Sequence, residues 1–137
     1  MPVTTEILPN VIARDAMRSP IISCTPDAPL AEVAALMATN RVHCVITEGL
    51  TLDRRGERLT WGVVSDLDLV RGAAANDPHA TAGTIAATLA LTVDADETLA
   101  SVAAALAAYD CSHVIVVEGD QPVGLISTLD LASVLAQ

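Results

Sequence analysis

The chain repeats itself, and that repetition limits its fold more than any other feature. The segment TPDAPLAEVAALMATNRVHCVI (25–46) lies over DADETLASVAAALAAYDCSHVI (94–115) at an offset of 69. Asp27 falls on Asp96, Leu30 on Leu99, Val33 on Val102, Met37 on Leu106, and Val45-Ile46 on Val114-Ile115. Further on, GVVSDLDL (62–69) matches GLISTLDL (124–131) at an offset of 62, so the first copy carries seven more residues between its matched blocks. These fall in the polar stretch EGLTLDRRGERLT, where a hairpin loop is expected to absorb an insertion. A repeat of this length is one supersecondary unit that leans on its neighbour for a core.

Both copies read as β-α-β-β-α. A short apolar strand (Ile21–Cys24; Leu91–Val93) runs into a turn containing Pro or Asp. A helix follows, with Leu30, Val33, Leu36 and Met37 in one copy and Leu99, Val102 and Leu106 in the other at helical spacing. Two strands come next: Cys44–Thr47 with Trp61–Val64, and Val114–Val117 with Val123–Ile126 around a tight Glu118-Gly119-Asp120 turn. A second helix opens at Ser65 or Ser127. Residues 11–70 and 83–137 are thus the two repeats, and 71–82, rich in Ala, Gly, Asn and Pro, link them. Residues 1–10 read as a loosely held arm. Each unit has a one-sided sheet, so sheet-to-sheet packing is expected, with pseudo-twofold symmetry and two equivalent clefts.

Composition narrows the function classes. Apolar residues make up 52% of the 137, yet there is one Trp, one Tyr and no Phe, so the core must be aliphatic. The net charge is −10 and all seven basic residues are arginines. No basic stripe is present for nucleic acid, and anionic membrane surfaces are disfavoured. Cys24, Cys44 and Cys111 include no Cys-x-x-Cys pair and read as reduced, buried small hydrophobes. No apolar run approaches ~18 residues, and the N-terminus lacks an apolar h-region. A cytoplasmic address is the expectation.

ARDAM (13–17), ISCTPDAPLAEVAALM, VHCVI and GVVSDLDL, followed by TVDADETLASVAAAL, SHVIVVEGDQPVGLIS and TLDL, resemble the cystathionine-β-synthase (CBS) domain pair, or Bateman module. The resemblance covers roughly 11–70 and 83–137 and implies an α/β (α+β) regulatory module. Such modules bind AMP, ATP, S-adenosylmethionine or similar ligands between the repeats, usually as dimers. The family's proline before the second-strand valine is replaced here by Cys44 and His113, and the helix-entry Met17 has no counterpart in GTIAATLAL.

Within that resemblance, Ser65-x-x-Asp68 and Ser127-x-x-Asp130 are the first candidate ligand residues. Asp68 and Asp130 would accept hydrogen bonds from a ribose diol, charge-assisted and so stronger than neutral ones. Ser65 and Ser127 would add hydroxyl contacts at a helix N-terminus that favours anions. The same pattern is also a capping box, which needs no ligand. Arg41, just before the second strand, stands where relatives place a phosphate contact; as a helix-end arginine it also complements the macrodipole. Its counterpart, Asp110, would repel phosphate, so the two clefts should differ. Ser23 and Thr92 could bond an adenine edge, with Val45, Val63 and Ile126 as an aliphatic slot or plain core. His43 and His113 read as partly buried core or cleft-wall residues within reach of ligand. Arg54, Arg55 and Arg58 read as a solvated loop or, alternatively, as a partner or phosphate contact, and His79 as exposed.

No catalytic residues and no metal site stand out, because no nucleophile has a base and an orienting group beside it. A non-enzymatic sensor of an adenosyl ligand, homodimeric through Ala/Leu/Val helix faces and acting on a regulated partner, is the leading expectation. A ligand-free interaction or stress-response protein of the same fold is the alternative.

Overall fold

The computed structural model describes residues 10–53, 56–119 and 121–136. Each repeat builds a three-stranded sheet with two helices, in the β-α-β-β-α order expected. In the first, β1 (Ser23–Cys24) runs parallel to β2 (Cys44–Asp53), which pairs antiparallel with β3 (Gly56–Ser65). Helix α2 (Leu30–Asn40) crosses between the parallel strands and α3 (Asp66–Ala75) follows β3. In the second, β4 (Ala90–Asp94), α5 (Leu99–Ala108), β5 (His113–Glu118), β6 (Gln121–Ser127) and α6 (Thr128–Leu135) repeat the pattern. Short entry helices, α1 (Ala13–Ala16) and α4 (Ala82–Ile85), precede the two copies.

Helical spacing sets the buried faces. Val33 and Met37 of α2, and Leu99, Val102 and Leu106 of α5, are buried, Leu36 and Ala103 pack beside them, and Glu32, Ala35, Ser101 and Ala104 face outward. β-branched residues fill the sheet interiors: Val45 and Val64 in one core, Val93, Val114, Val116 and Ile126 in the other. Both crossover helices end the same way, with Arg41 (φ 54°) and Asp110 (φ 53°) in the left-handed region. There, Val42 N–H donates to Met37 O at 3.1 Å and Cys111 N–H to Leu106 O at 3.0 Å. A left-handed arginine crowds its own Cβ. Arg41→Gly is therefore expected to raise unfolding free energy by about 0.5–1 kcal/mol, whereas Arg41→Ala, which keeps the Cβ, should not. Urea denaturation reads the difference; equal stability of the Gly and Ala variants would refute it.

The seven extra residues of the first repeat do not form the loop expected of them. The β2–β3 ladder runs unbroken from Cys44↔Ser65 to Asp53↔Gly56, so the insertion lengthens both strands of the hairpin. Thr and alternating Leu in this stretch favour pairing over a loop. Arg58 pairs with Thr51 through the backbone, while Arg54 and Arg55 lie outside the described residues. The β5–β6 hairpin is shorter, carries a bulge at Val116/Val117 and turns through Gly119 at φ 61°. Asp120 and the arm residues 1–9 also lie outside the described residues. Part of the expected linker is helical: α3 continues through Ala75 and stops at Asn76, again left-handed.

The compact units do not follow chain order. One comprises Ile22–Thr88; the other joins the N-terminal segment through Ile21 to Leu89–Gln137. Each entry helix docks on the repeat that it does not precede. Ala13 N–H donates to Glu97 O and Arg14 N–H to Ala95 O, at 2.8 and 2.9 Å. At the matched places, Ala82 N–H donates to Ala28 O and Gly83 N–H to Pro26 O, at 2.8 and 2.7 Å. Ala13 and Ala82 are fully buried in their respective cores. Bridges Ile12↔Thr98 and Pro29↔Thr81, then Arg18↔Leu125 and Val63↔Thr88, complete the correspondence.

Candidate ligand-binding site

Both Ser-x-x-Asp motifs start helices as capping boxes. Ser65 Oγ accepts from Asp68 N at 3.0 Å and Ser65 N–H donates to Asp68 Oδ2 at 2.9 Å. Ser127 Oγ accepts from Asp130 N at 3.2 Å and Ser127 N–H donates to Asp130 Oδ2 at 2.9 Å. Satisfying these amides fixes where α3 and α6 begin. Both carboxylates are buried, Asp68 at 4% and Asp130 at 8% exposure, which a cap alone does not require.

What buries them is the entry segment of each unit. Thr88 donates to Asp68 Oδ2 through its amide at 3.1 Å and its hydroxyl at 2.6 Å. Arg18 Nε donates to Asp130 Oδ1 at 2.8 Å. Burial pushes the Asp68 carboxyl up, but the bonds from Ser65 and Thr88 outweigh it and hold the group below the usual carboxylate range. The two motifs therefore differ in what they leave open. All described bonds to Asp68 go to Oδ2, and among the described residues no donor reaches Oδ1. Asp130 has both oxygens engaged, since Ser127 Oγ–H also donates to its Oδ2 at 3.1 Å.

Beside Asp68 lies an open cavity of about 290 Å³, lined also by Arg71, Gly72, Asp77, Thr84 and Ile85. Its size suits part of a nucleotide-sized ligand, the usual range starting near ~300 Å³. Arg71, three residues along α3 from Asp68, is exposed and puts a cation on the wall. A second open cavity, of about 480 Å³, has Asp94, Asp96, Glu97 and Glu118 around it. Arg14 sits in that acidic set, bonded to Asp96 Oδ1 at 2.8 Å and Glu118 Oε1 at 3.0 Å.

The remaining candidates are dispersed. Arg41 is exposed and caps α2; Ser23 and Thr92 are exposed at matched places in β1 and β4, opposite Ile46 and Ile115. Val45, Val63 and Ile126 have no exposed surface. His43 is not partly buried as expected: its side chain is 82% exposed, with Nδ1 3.1 Å from Asp66 Oδ2. It falls just before β2, where the chain has left the core. His113 is half-buried at the start of β5, with Nδ1 2.9 Å from Ser112 Oγ. The two histidines are not counterparts, because the offset of 69 sets His43 over Ser112 and Cys44 over His113. Of the three cysteines only Cys111 is buried; Cys24 and Cys44 are half-buried, each at the end of a strand of the first sheet. His79 is exposed as expected.

Sequence reasoning missed Arg18, Arg71 and Thr88. Arg71 was within reach, as the next residue on the Asp68 side of an apolar-patterned helix. Arg18 and Thr88 depend on the exchange of entry segments, which no local pattern records.

The CBS domain family model matches residues 13–75 and 83–137, and the chain belongs to that family. No curated protein sequence matches it. Among solved structures it is similar to Hypoxic Response Protein I with two coordinated zinc ions, at 26% identity and TM-score 0.68, over 90% of this chain and 98% of that one. It is similar to a CBS domain pair in complex with 5′-methylthioadenosine and S-adenosyl-L-methionine, at 21% identity and TM-score 0.72, over 92% and 96%. The CBS domain of a bacterial CNNM/CorC family Mg²⁺ transporter in complex with ATP shares 20% identity and TM-score 0.77, over 97% and 92%. Among the described residues no three His, Cys, Asp or Glu side chains gather as they would around a metal ion, and no helix is long and apolar enough to cross a membrane.

Proposed function

We propose that the chain is a non-catalytic regulatory module that binds an adenosyl compound of the AMP, ATP or S-adenosylmethionine type, with Asp68 as the ribose acceptor. One observation carries this reading: a buried carboxylate, held ionised by Ser65 and Thr88, keeps Oδ1 open beside a cavity. An ionised oxygen of a buried carboxylate is costly without a donor, and here a ligand or water in the adjoining cavity would supply one. A ribose hydroxyl supplies that donor, and Arg71 suits an attached phosphate. The solved relatives carrying ATP and S-adenosylmethionine agree with this chemistry. Leu67 and Val70 of α3 and Leu129 of α6 are more than half exposed, at 53%, 61% and 63%. A homodimer would cover them and transmit occupancy to a regulated partner in the cytoplasm.

Calorimetry and thermal melting with AMP, ATP and S-adenosylmethionine test the reading. Binding of at least one is expected, and Asp68→Asn should weaken it roughly 10- to 100-fold by removing a charge-assisted bond. Native mass spectrometry of the same preparation reads dimer and retained ligand together. No melting shift with any of the three at millimolar concentration would move the chain to the alternative, a ligand-free interaction protein whose Ser-x-x-Asp pairs are caps alone.

A further inference from the structure

We infer that Arg18 is a built-in occupant of the second Ser-x-x-Asp motif, so that the chain takes one adenosyl ligand rather than two. This rests on the ribose-acceptor reading of Asp68. The matched residues of the entry segments treat their carboxylates differently. Thr88 donates twice to one oxygen of Asp68 and leaves the other open. Arg18 donates to Asp130 Oδ1, the oxygen matching the open one, while Ser127 donates to Oδ2 through both its amide and its hydroxyl. A ribose hydroxyl arriving at Asp130 meets a guanidinium on Oδ1 and must displace it to take that oxygen as Asp68 Oδ1 would be taken.

The displacement is built to be possible. Arg18 is pinned by its backbone, with N–H donating to Leu125 O at 2.9 Å and O accepting from Leu125 N–H at 3.1 Å. Its side chain is 66% exposed, so the guanidinium can swing into water while the strand contact holds. The pair has one partner in solvent and the other buried, so its strength falls as salt screens the exposed guanidinium. The first motif is thus open, and the second is closed by a contact that a single residue controls.

The test is AMP titration of the full chain by calorimetry, in the parent, Arg18→Thr and Arg18→Lys. Threonine is what the Ile22–Thr88 unit has at the matched place, Thr88; lysine keeps the cation. The parent and R18K should bind one AMP per chain, and R18T two, the second within roughly tenfold of the first. Added to R18T, Asp68→Asn should remove the first site and leave the second. A parent that already binds two, or a folded R18T that still binds one, overturns the inference while the adenosyl reading stands. A parent that binds none while R18T binds one supports the inference and refutes Asp68 as the acceptor. Failure of every variant to bind AMP defeats both.

Discussion

Asp68→Ala is expected to lower the unfolding free energy by about 3 kcal/mol, roughly twice the loss for Asp130→Ala. The asymmetry follows from what each carboxylate leaves behind. Without Asp68, the amides of Ser65 and Thr88 and the Thr88 hydroxyl lose their acceptor at a site only 4% exposed. An unsatisfied buried donor costs about 1–3 kcal/mol, partly relieved here by water from the adjoining cavity. Removing Asp130 takes one bond from Arg18, whose side chain is mostly in solvent and hydrates easily, so only the Ser127 bonds count fully. Urea denaturation at neutral pH measures both.

The pH dependence has a definite sign. The Asp68 carboxyl is held below its ordinary value of ~3.9, so its contribution is complete above that pH and fades as pH falls through the lower, folded value. The gap between parent and D68A should therefore narrow below about pH 4 and stay constant above it. A gap that instead narrows towards alkaline pH would contradict the assigned bonding. The burial also changes what a longer carboxylate can do. A solvated capping box accepts Glu, but Asp68→Glu must fit an extra methylene beside Thr88, so even the apo protein should be weakened.

The repeat, the order of elements and both helix starts were legible because each is written locally, in apolar spacing and in Ser-x-x-Asp. The second copy resolved ambiguities that either alone would have left. The hairpin was misjudged because polar composition outweighed the β-favouring Thr and Leu of the insertion. Burial of Asp68 and Asp130 was hidden for a different reason: it comes from Thr88 and Arg18, 20 and 112 residues away. Four-residue entry helices carry no usable periodicity, and nothing local says which of two similar turns they will bond. Their internal lengths differ too: Arg18 precedes Ser23 by five residues, whereas Thr88 precedes Thr92 by four, which blurs the alignment where it matters.

The same exchange explains Met17, which seemed to have no counterpart. Ala86 takes its place: Met17 and Ala86 end α1 and α4, each packed over a glycine of a third strand. A Cβ on Gly124 would overlap Met17 Sδ, lie 2.6 Å from its Cγ and come within 2.9 Å of its Cβ. At Gly62 a Cβ would meet Thr47 Cγ2 at 3.2 Å and Ala86 Cβ at 3.8 Å, a tight but tolerable fit. The second unit thus pairs large with absent and the first pairs small with absent. Gly124→Ala should destabilise by about 2 kcal/mol through overpacking, because the near Met17 atoms include its Cβ and cannot swing aside. Gly62→Ala should change stability by less than about 1 kcal/mol. Met17→Ala alone should cost about 1 kcal/mol, its side chain being only half-buried. The double variant Met17→Ala/Gly124→Ala removes the Sδ and Cγ overlaps but keeps a Cβ within 2.9 Å of the new one, so it should lose more stability than Met17→Ala alone yet less than the sum of the two single losses. The double-mutant cycle would then show a favourable coupling of about 1 kcal/mol. Simple addition of the two single losses would mean that Gly124 is needed for its backbone freedom, and that Met17 merely lies nearby.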